Sequence, residues 1–134
     1  MIVIDASALA KFILKEEGWE GVAEYLKAGT LSVDHIVKEV ANVVWRRFRD
    51  DAISLNESKT MLAALKEILE KAVKIEGELR YLDGAANIAF SRGITIYDSL
   101  YISMARNKEL QLLTADETQA SVAAAENVAT ILLA

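Results

Sequence analysis

Apolar residues recur along this chain in two rhythms, and their alternation predicts the architecture. Residues 2–4 are an unbroken β-branched run, Ile-Val-Ile, that ends at Asp5. Such a run suits a central strand of a buried parallel sheet. Residues 6–15 read as a helix broken by Gly18. Residues 19–28 read as a second, with Val22, Tyr25 and Leu26 at helical spacing and Gly29 as its stop. Residues 30–33 alternate and form a second strand. A helix over 34–50 follows, with Ile36, Val40, Val43 and Val44 along its inner side. The longest helical pattern covers 55–72, with Asn56 as its expected N-cap. Residues 73–75 are a short third strand, and 79–91 a helix closed by Gly93. Residues 94–96 lead through Tyr97 to a helix over 98–107. The remaining elements are a strand over 111–114 that terminates at Asp116, a helix over 118–126 and a last strand over 128–133. Strands alternating with helices predict a single α/β domain over residues 1–134, with a central, mainly parallel sheet of about five strands flanked by helices.

Composition narrows the chemistry. With no cysteine and one histidine, His35, the 134 residues can build neither a thiolate metal site nor a multi-histidine zinc site. Any resident metal must be held mainly by oxygen, which selects magnesium, manganese or calcium. Twenty acids against fifteen bases give a net charge of −5, which opposes broad nonspecific affinity for nucleic acid. Bound cations would reverse that sign locally. Hydrophobic residues make up 53% of the chain, enough for a core without staples. No apolar run approaches the length of about 18 residues that spans a bilayer, and no basic stretch precedes residues 1–5 as in a signal peptide. A soluble cytoplasmic protein with no membrane partner is the expectation. Proline is absent altogether, and we have no functional account of that.

The acids fall where a parallel sheet gathers ligands, outside the carboxyl ends of its strands. Asp5 directly follows the first strand, and Asp116 follows Leu112-Leu113-Thr114-Ala115. Neighbouring strands lie about 4.8 Å apart, so the two carboxylates could share one ion. Glu39 stands near the start of an amphipathic helix, followed on its face by Asn42, Val43 and Arg46, and Asp98 opens another helix. Taken singly, Asp98 reads better as an N-cap and Glu39 as a first-turn acid favoured by the helix dipole.

Four motifs in order change that balance. Val3-Ile4-Asp5-Ala6-Ser7, Glu39-Val40-Ala41-Asn42-Val43, Tyr97-Asp98-Ser99-Leu100-Tyr101 with Ile102-Ser103-Met104-Ala105, and Leu113-Thr114-Ala115-Asp116-Glu117 resemble the four motifs of the PIN-domain family. They span the chain from Asp5 to Asp116. Length and architecture are similar to the VapC-type toxins of toxin–antitoxin pairs. One departure is visible: a proline often precedes the family's glutamate, and here the segment is Asp34-His35-Ile36-Val37-Lys38.

The resemblance implies a magnesium-dependent ribonuclease acting on single-stranded RNA, with manganese as a substitute ion. It also implies a cognate antitoxin and a homodimer. Asp5, Glu39, Asp98 and Asp116 would then be both catalytic residues and metal ligands. Asp5 and Asp98 would bind directly, Glu39 would ligate or orient the attacking water, and Asp116 would complete the cluster. Glu117 ranks below Asp116 as an assistant. Ser7, Asn42 and Thr114 are candidate donors that hold the carboxylates, and Arg46 is a candidate phosphate contact. Arg47 and Arg49 read as a solvated face paired with Asp50 and Asp51. Tyr97 and Tyr101 are the aromatics nearest Asp98 in sequence, with burial expected for Tyr101. His35 reads as a helix-start residue, and Trp19 and Trp45 as core or interface anchors. Exposed apolar residues such as Trp19, Met61 and Leu62 would offer a face to a partner. The rival from another class is a noncatalytic PIN-like binding module. Phosphatases with an Asp-x-Asp motif and Gly-rich nucleotide-binding turns are excluded by Asp5-Ala6-Ser7-Ala8.

Overall fold

The computed structural model describes residues 1–134 as one five-stranded sheet in the order β3-β2-β1-β4-β5, every pairing parallel. The strands are β1 (Ile2–Ile4), β2 (Thr30–Val33), β3 (Val73–Glu76), β4 (Leu112–Thr114) and β5 (Thr130–Leu132). Seven helices connect them: α1 (Ala6–Ile13), α2 (Trp19–Ala28), α3 (His35–Arg49), α4 (Leu55–Lys71), α5 (Leu82–Arg92), α6 (Ile96–Lys108) and α7 (Glu117–Ala125). The expected fold class and strand count are both met.

The three inner strands β1, β2 and β4 are buried at every position, whereas the edge strands β3 and β5 are only partly covered. That is why the inner strands read as continuous apolar runs. Helices α1 to α4 pack among themselves, while α5 packs on α6, which lies against β1, β2 and β4. Right-handed crossovers place these two groups on opposite faces of the sheet. The chain runs outward from β1 to β2 and β3, then returns to β4 on the other side of β1. The reversal puts the topological switch point between β1 and β4, where Asp5 and Asp116 leave the sheet. Their strands are in register there, Ile4 opposite Leu113, and the Asp5 amide donates to the Leu113 carbonyl at 3.2 Å.

Several boundaries differ from the sequence expectation: the first helix ends at Ile13, the last strand is confined to Thr130–Leu132, and three further differences have a local cause. Helix α4 is capped by Ser54, not Asn56: the Ser54 hydroxyl accepts from the Glu57 amide at 3.0 Å while the Glu57 carboxylate accepts from the Ser54 amide at 2.9 Å. This reciprocal pair satisfies two donors that a cap at position 56 would leave free. The segment expected as one helix over 79–91 begins as a 3-10 turn, Glu78–Tyr81, before α5. Helix α6 starts at Ile96, because the Thr95 hydroxyl caps it by accepting from the Asp98 amide at 3.1 Å. Asp98 is therefore a first-turn residue and not an N-cap.

Close approach of α5 and α6 depends on Gly84. A Cβ there would meet the Ser103 hydroxyl at 2.5 Å, closer than packed atoms allow. Ser103 itself donates to the Tyr81 carbonyl at 2.9 Å. Of the apolar residues expected on the surface of α2 and α4, Trp19 packs edge-on against Phe12 with ring centroids 5.8 Å apart, and Met61 is half-buried against the core. Leu62 is open, at 42% exposure. No helix is long and apolar enough to cross a membrane.

Candidate active site

At the carboxyl edge of β1 and β4 lies a cavity of about 180 Å³. Asp5, Glu39, Asp98 and Asp116 all line it, together with Ser7, Tyr101 and Gln119, and no basic residue does. Four segments far apart in sequence thus deliver one acid each: Asp5 and Asp116 from the ends of β1 and β4, Asp98 from the first turn of α6, and Glu39 from the second turn of α3 and not the first, because α3 begins at His35.

Asp5 is the most constrained. It caps α1, its Oδ1 accepting from the Ala8 amide at 3.0 Å and the Ser7 hydroxyl at 2.7 Å. Its Oδ2 accepts from the Thr114 hydroxyl at 2.5 Å. Ser7 and Thr114 in turn accept from the amides of Ala115 and Asp116, at 2.9 and 3.1 Å. Ser7 and Thr114 thus each donate to one oxygen of the Asp5 carboxylate. Asp5 is buried, and burial pushes its carboxyl up to about 6 against the pull of the bonds from Thr114, Ala8 and Ser7. The neighbouring Glu39 adds to the rise.

Glu39 is half-buried and its Oε1 accepts from the Tyr101 hydroxyl at 2.9 Å. Burial raises its pKa, the Tyr101 bond opposes that, Asp98 raises it further and Arg46 lowers it. Burial also raises the pKa of Asp98, with a contribution from the charge of Asp116, against the bond from Thr95. Asp116 is exposed at its tip and caps α7, accepting from the Gln119 amide at 2.9 Å. Each of the three raised carboxyls sits in a place that disfavours its charged form, through burial first and its neighbours second.

Two residues of the site escape a sequence reading. Tyr101 is fully buried, as expected, yet its hydroxyl reaches across from α6 to hold Glu39; burial and Glu39 together push its pKa far up, so it stays a donor. Gln119 lines the cavity, its Nε2 donating to the Asp98 carbonyl at 2.9 Å while its buried Oε1 has no partner. Its position three residues after the cap Asp116 was the available signal. Asn42 stands apart from the cavity, on the wall of an adjoining groove with Arg46. Glu117 is exposed in the first turn of α7. Arg47 pairs with Glu16 at 3.2 Å rather than with Asp50 or Asp51, and Arg49 pairs with Asp50 at 3.0 Å. Trp45 is 52% exposed under the Arg49 guanidinium, which excludes a core role.

The acids surround a shared space but do not close on a single point: no group of three or more acidic or imidazole side chains is gathered tightly enough to hold a metal ion. Asp5 is pinned by its hydroxyl donors. The donor set nevertheless fits a hydrated divalent cation. It is all oxygen, it lacks a competing base, and magnesium retains several waters and needs few carboxylates. The unpaired Gln119 oxygen is an acceptor for such a water, and an orphaned buried acceptor otherwise costs about 1–3 kcal/mol.

Comparison with known proteins gives the family. Residues 2–125 match the family model described as PIN domain. The chain is 34% identical over 119 residues to ribonuclease VapC3 of Pyrobaculum aerophilum, covering 86% of this chain and 88% of the relative. In fold it is similar to the crystal structure of PAE2754 from the same organism, with a TM-score of 0.71, 24% identity, and coverage of 90% of this chain and 84% of that one. It is also similar to a chain of a toxin-antitoxin complex from Klebsiella pneumoniae, with a TM-score of 0.62, 12% identity, and coverage of 90% and 91%. With all four motifs meeting at one sheet edge and the family model matching nearly the whole chain, the protein belongs to the PIN domain family, in its VapC-type branch.

Proposed function

We propose that this protein is a magnesium-dependent endoribonuclease that hydrolyses phosphodiester bonds of single-stranded RNA, with manganese able to replace magnesium. The observation that carries the reading is the convergence of Asp5, Glu39, Asp98 and Asp116 on one cavity in a chain 34% identical to a ribonuclease. A magnesium ion bound there supplies Lewis acidity and a positive charge facing the phosphate. Asp5 and Asp98 hold it, and Asp116 completes the set.

The chain's own residues do the rest. Glu39, with its raised pKa, ligates or orients the attacking water and is placed to take its proton. Tyr101 fixes the Glu39 carboxylate by donating to one oxygen, leaving the other free for that water. Ser7 and Thr114 hold Asp5, and Gln119 ties the first turn of α6 to the start of α7. Arg46, one groove away, is placed to meet a phosphate of the strand and offsets the chain's net charge locally.

The same reading assigns the protein to the toxin half of a toxin–antitoxin pair. An antitoxin and a second copy of the chain are its expected partners. Open apolar residues on α3 and α4, among them Trp45 and Leu62, supply surface for such contacts. Gel filtration giving a strict monomer at high concentration would count against the dimer.

Incubation of labelled single-stranded RNA with the protein and magnesium or manganese tests the activity, beside EDTA and Asp98→Asn controls. Cleavage that needs the ion and vanishes in the variant supports the assignment. Absence of both cleavage and divalent-ion binding would leave the noncatalytic binding module as the better description.

A further inference from the structure

Beside the carboxylate cavity lies a second, larger one of about 480 Å³, and the two share Glu39, Val43 and Asp98 as a common wall. Its floor follows one stripe of α3, from His35 through Lys38 and Glu39 to Arg46. Its far side is Tyr97, in the first turn of α6. The His35 and Tyr97 rings are stacked, with centroids 4.6 Å apart and planes within 11°. Stacking joins the start of α3 to the start of α6 and fixes both rings. The His35 side chain is largely covered, at 14% exposure, and its Nε2 lies 3.3 Å from the Glu39 Oε1. Tyr97, by contrast, is 58% exposed and no hydrogen bond engages its hydroxyl.

A rigidly held aromatic ring with a covered face and an open one is a stacking platform. We infer that the Tyr97–His35 pair receives an unpaired RNA base next to the bond that is cut, with Lys38 and Arg46 meeting the flanking phosphates. The inference rests on the nuclease reading above. It goes beyond that reading by assigning a base subsite built from two residues outside the four acids.

Spacing along α3 supports it. At about 1.5 Å of rise per residue, Glu39 lies about 6 Å along the helix from His35, and Arg46 about 10 Å beyond Glu39. A strand laid along this stripe would place one base on the Tyr97 ring and the phosphate at the carboxylates. The following backbone would then reach Arg46. The platform selects unpaired nucleotides, because a base inside a duplex has no free face to offer. Stacking on a π-face is sequence-tolerant, so the ring itself grips any base.

The test uses the full-length protein carrying Asp98→Asn, with magnesium, and a mixed-sequence single-stranded RNA 12-mer. Affinity is read by fluorescence anisotropy, and stacking by quenching of 2-aminopurine substituted at successive positions. Tyr97→Phe, which keeps the ring, should bind within about twofold of its parent. Tyr97→Leu, which keeps apolar bulk and loses the π-face, should bind roughly 5- to 150-fold more weakly, the range for one lost base stack. Quenching should appear at one position and persist in the Phe but not the Leu variant. Thermal melting of each variant reports whether it is folded. Equal affinity and equal quenching for Phe and Leu would overturn the stacking subsite while leaving a cation-dependent nuclease intact. Failure of the Asp98→Asn parent to bind any single-stranded RNA, with no cleavage by the unmodified chain, would overturn both.

Discussion

Replacing Asp5 by asparagine should stabilise the cation-free protein at pH 8. The side chain is buried, and burial raises its pKa from 3.8 to about 6. A folded-state value above the unfolded one means that the folded protein binds more protons between those limits. The stability tied to Asp5 is therefore complete below pH 3.8 and is lost as pH climbs through about 6. Two pKa units correspond to about 3 kcal/mol at most. Asparagine removes the charge and can keep the contacts. Its oxygen accepts from Ser7 and Ala8, and its amide nitrogen can donate to Thr114, whose own proton then turns toward Ser7, 3.1 Å away. Allowing for imperfect replacement, the expected gain is about 1–3 kcal/mol at pH 8, a rise of roughly 4–10 °C in Tm for a chain of this size. Thermal melts followed by circular dichroism in EDTA, at pH 8 and at pH 4, measure it. The gain should shrink toward zero at pH 4. Magnesium should raise the Tm of the unmodified protein most at pH 8, where Asp5 is ionised, and barely affect the variant. A variant less stable than its parent at pH 8, by as much as at pH 4, would refute the reasoning. Its hydroxyl and amide donors would then outweigh the cost of burying the charge.

Other perturbations reach the remaining supports of the site and fold. Tyr101→Phe removes the donor that holds Glu39; single-turnover cleavage should fall about tenfold and stability by about 1 kcal/mol, seen in denaturant titration. Gly84→Ala drives a methyl into the Ser103 hydroxyl and should cost about 1–3 kcal/mol in urea unfolding, partly recovered by adding Ser103→Ala. Ser54→Ala breaks the reciprocal cap of α4 and should cost about 1 kcal/mol without touching activity, because the cap is remote from the cavity.

Much of the site is legible in the sequence, and the reason is physical. A parallel sheet buries its inner strands on both faces, so Ile2–Ile4 and Leu112–Thr114 announce themselves as apolar runs. The first acid after each run must then lie at the carboxyl edge. Glu39 and Asp98 stand out only through the motif pattern, since alone Glu39 reads as a first-turn acid and Asp98 as an N-cap. What was missed depends on local competition or on distance. Residues 94–96 read as a lead-in to a helix over 98–107, yet Thr95 and Asp98 stand at capping spacing, and the cap decides that α6 begins at Ile96. Ser54 and Glu57 carried the same signal for α4, and Asn56 was the weaker choice because no glutamate stands three residues beyond it. The Tyr101–Glu39 bond joins residues 62 apart, and the Gly84–Ser103 approach joins two helices. No spacing rule within one element reaches such pairs. The same holds for the stack of His35 on Tyr97: each residue alone looked unremarkable, and only the folded chain makes them one surface.

The central claim is that four acids act together through a bound divalent ion, and single-turnover cleavage of end-labelled single-stranded RNA tests it most directly. Rates would be compared for the unmodified protein and for Asp5→Asn, Glu39→Gln, Asp98→Asn and Asp116→Asn across a magnesium titration. Cleavage absent in EDTA, restored by magnesium or manganese, and reduced by at least about 100-fold in each variant is the predicted result. Cleavage that persists in EDTA, or that survives loss of both Asp5 and Asp98, would contradict it.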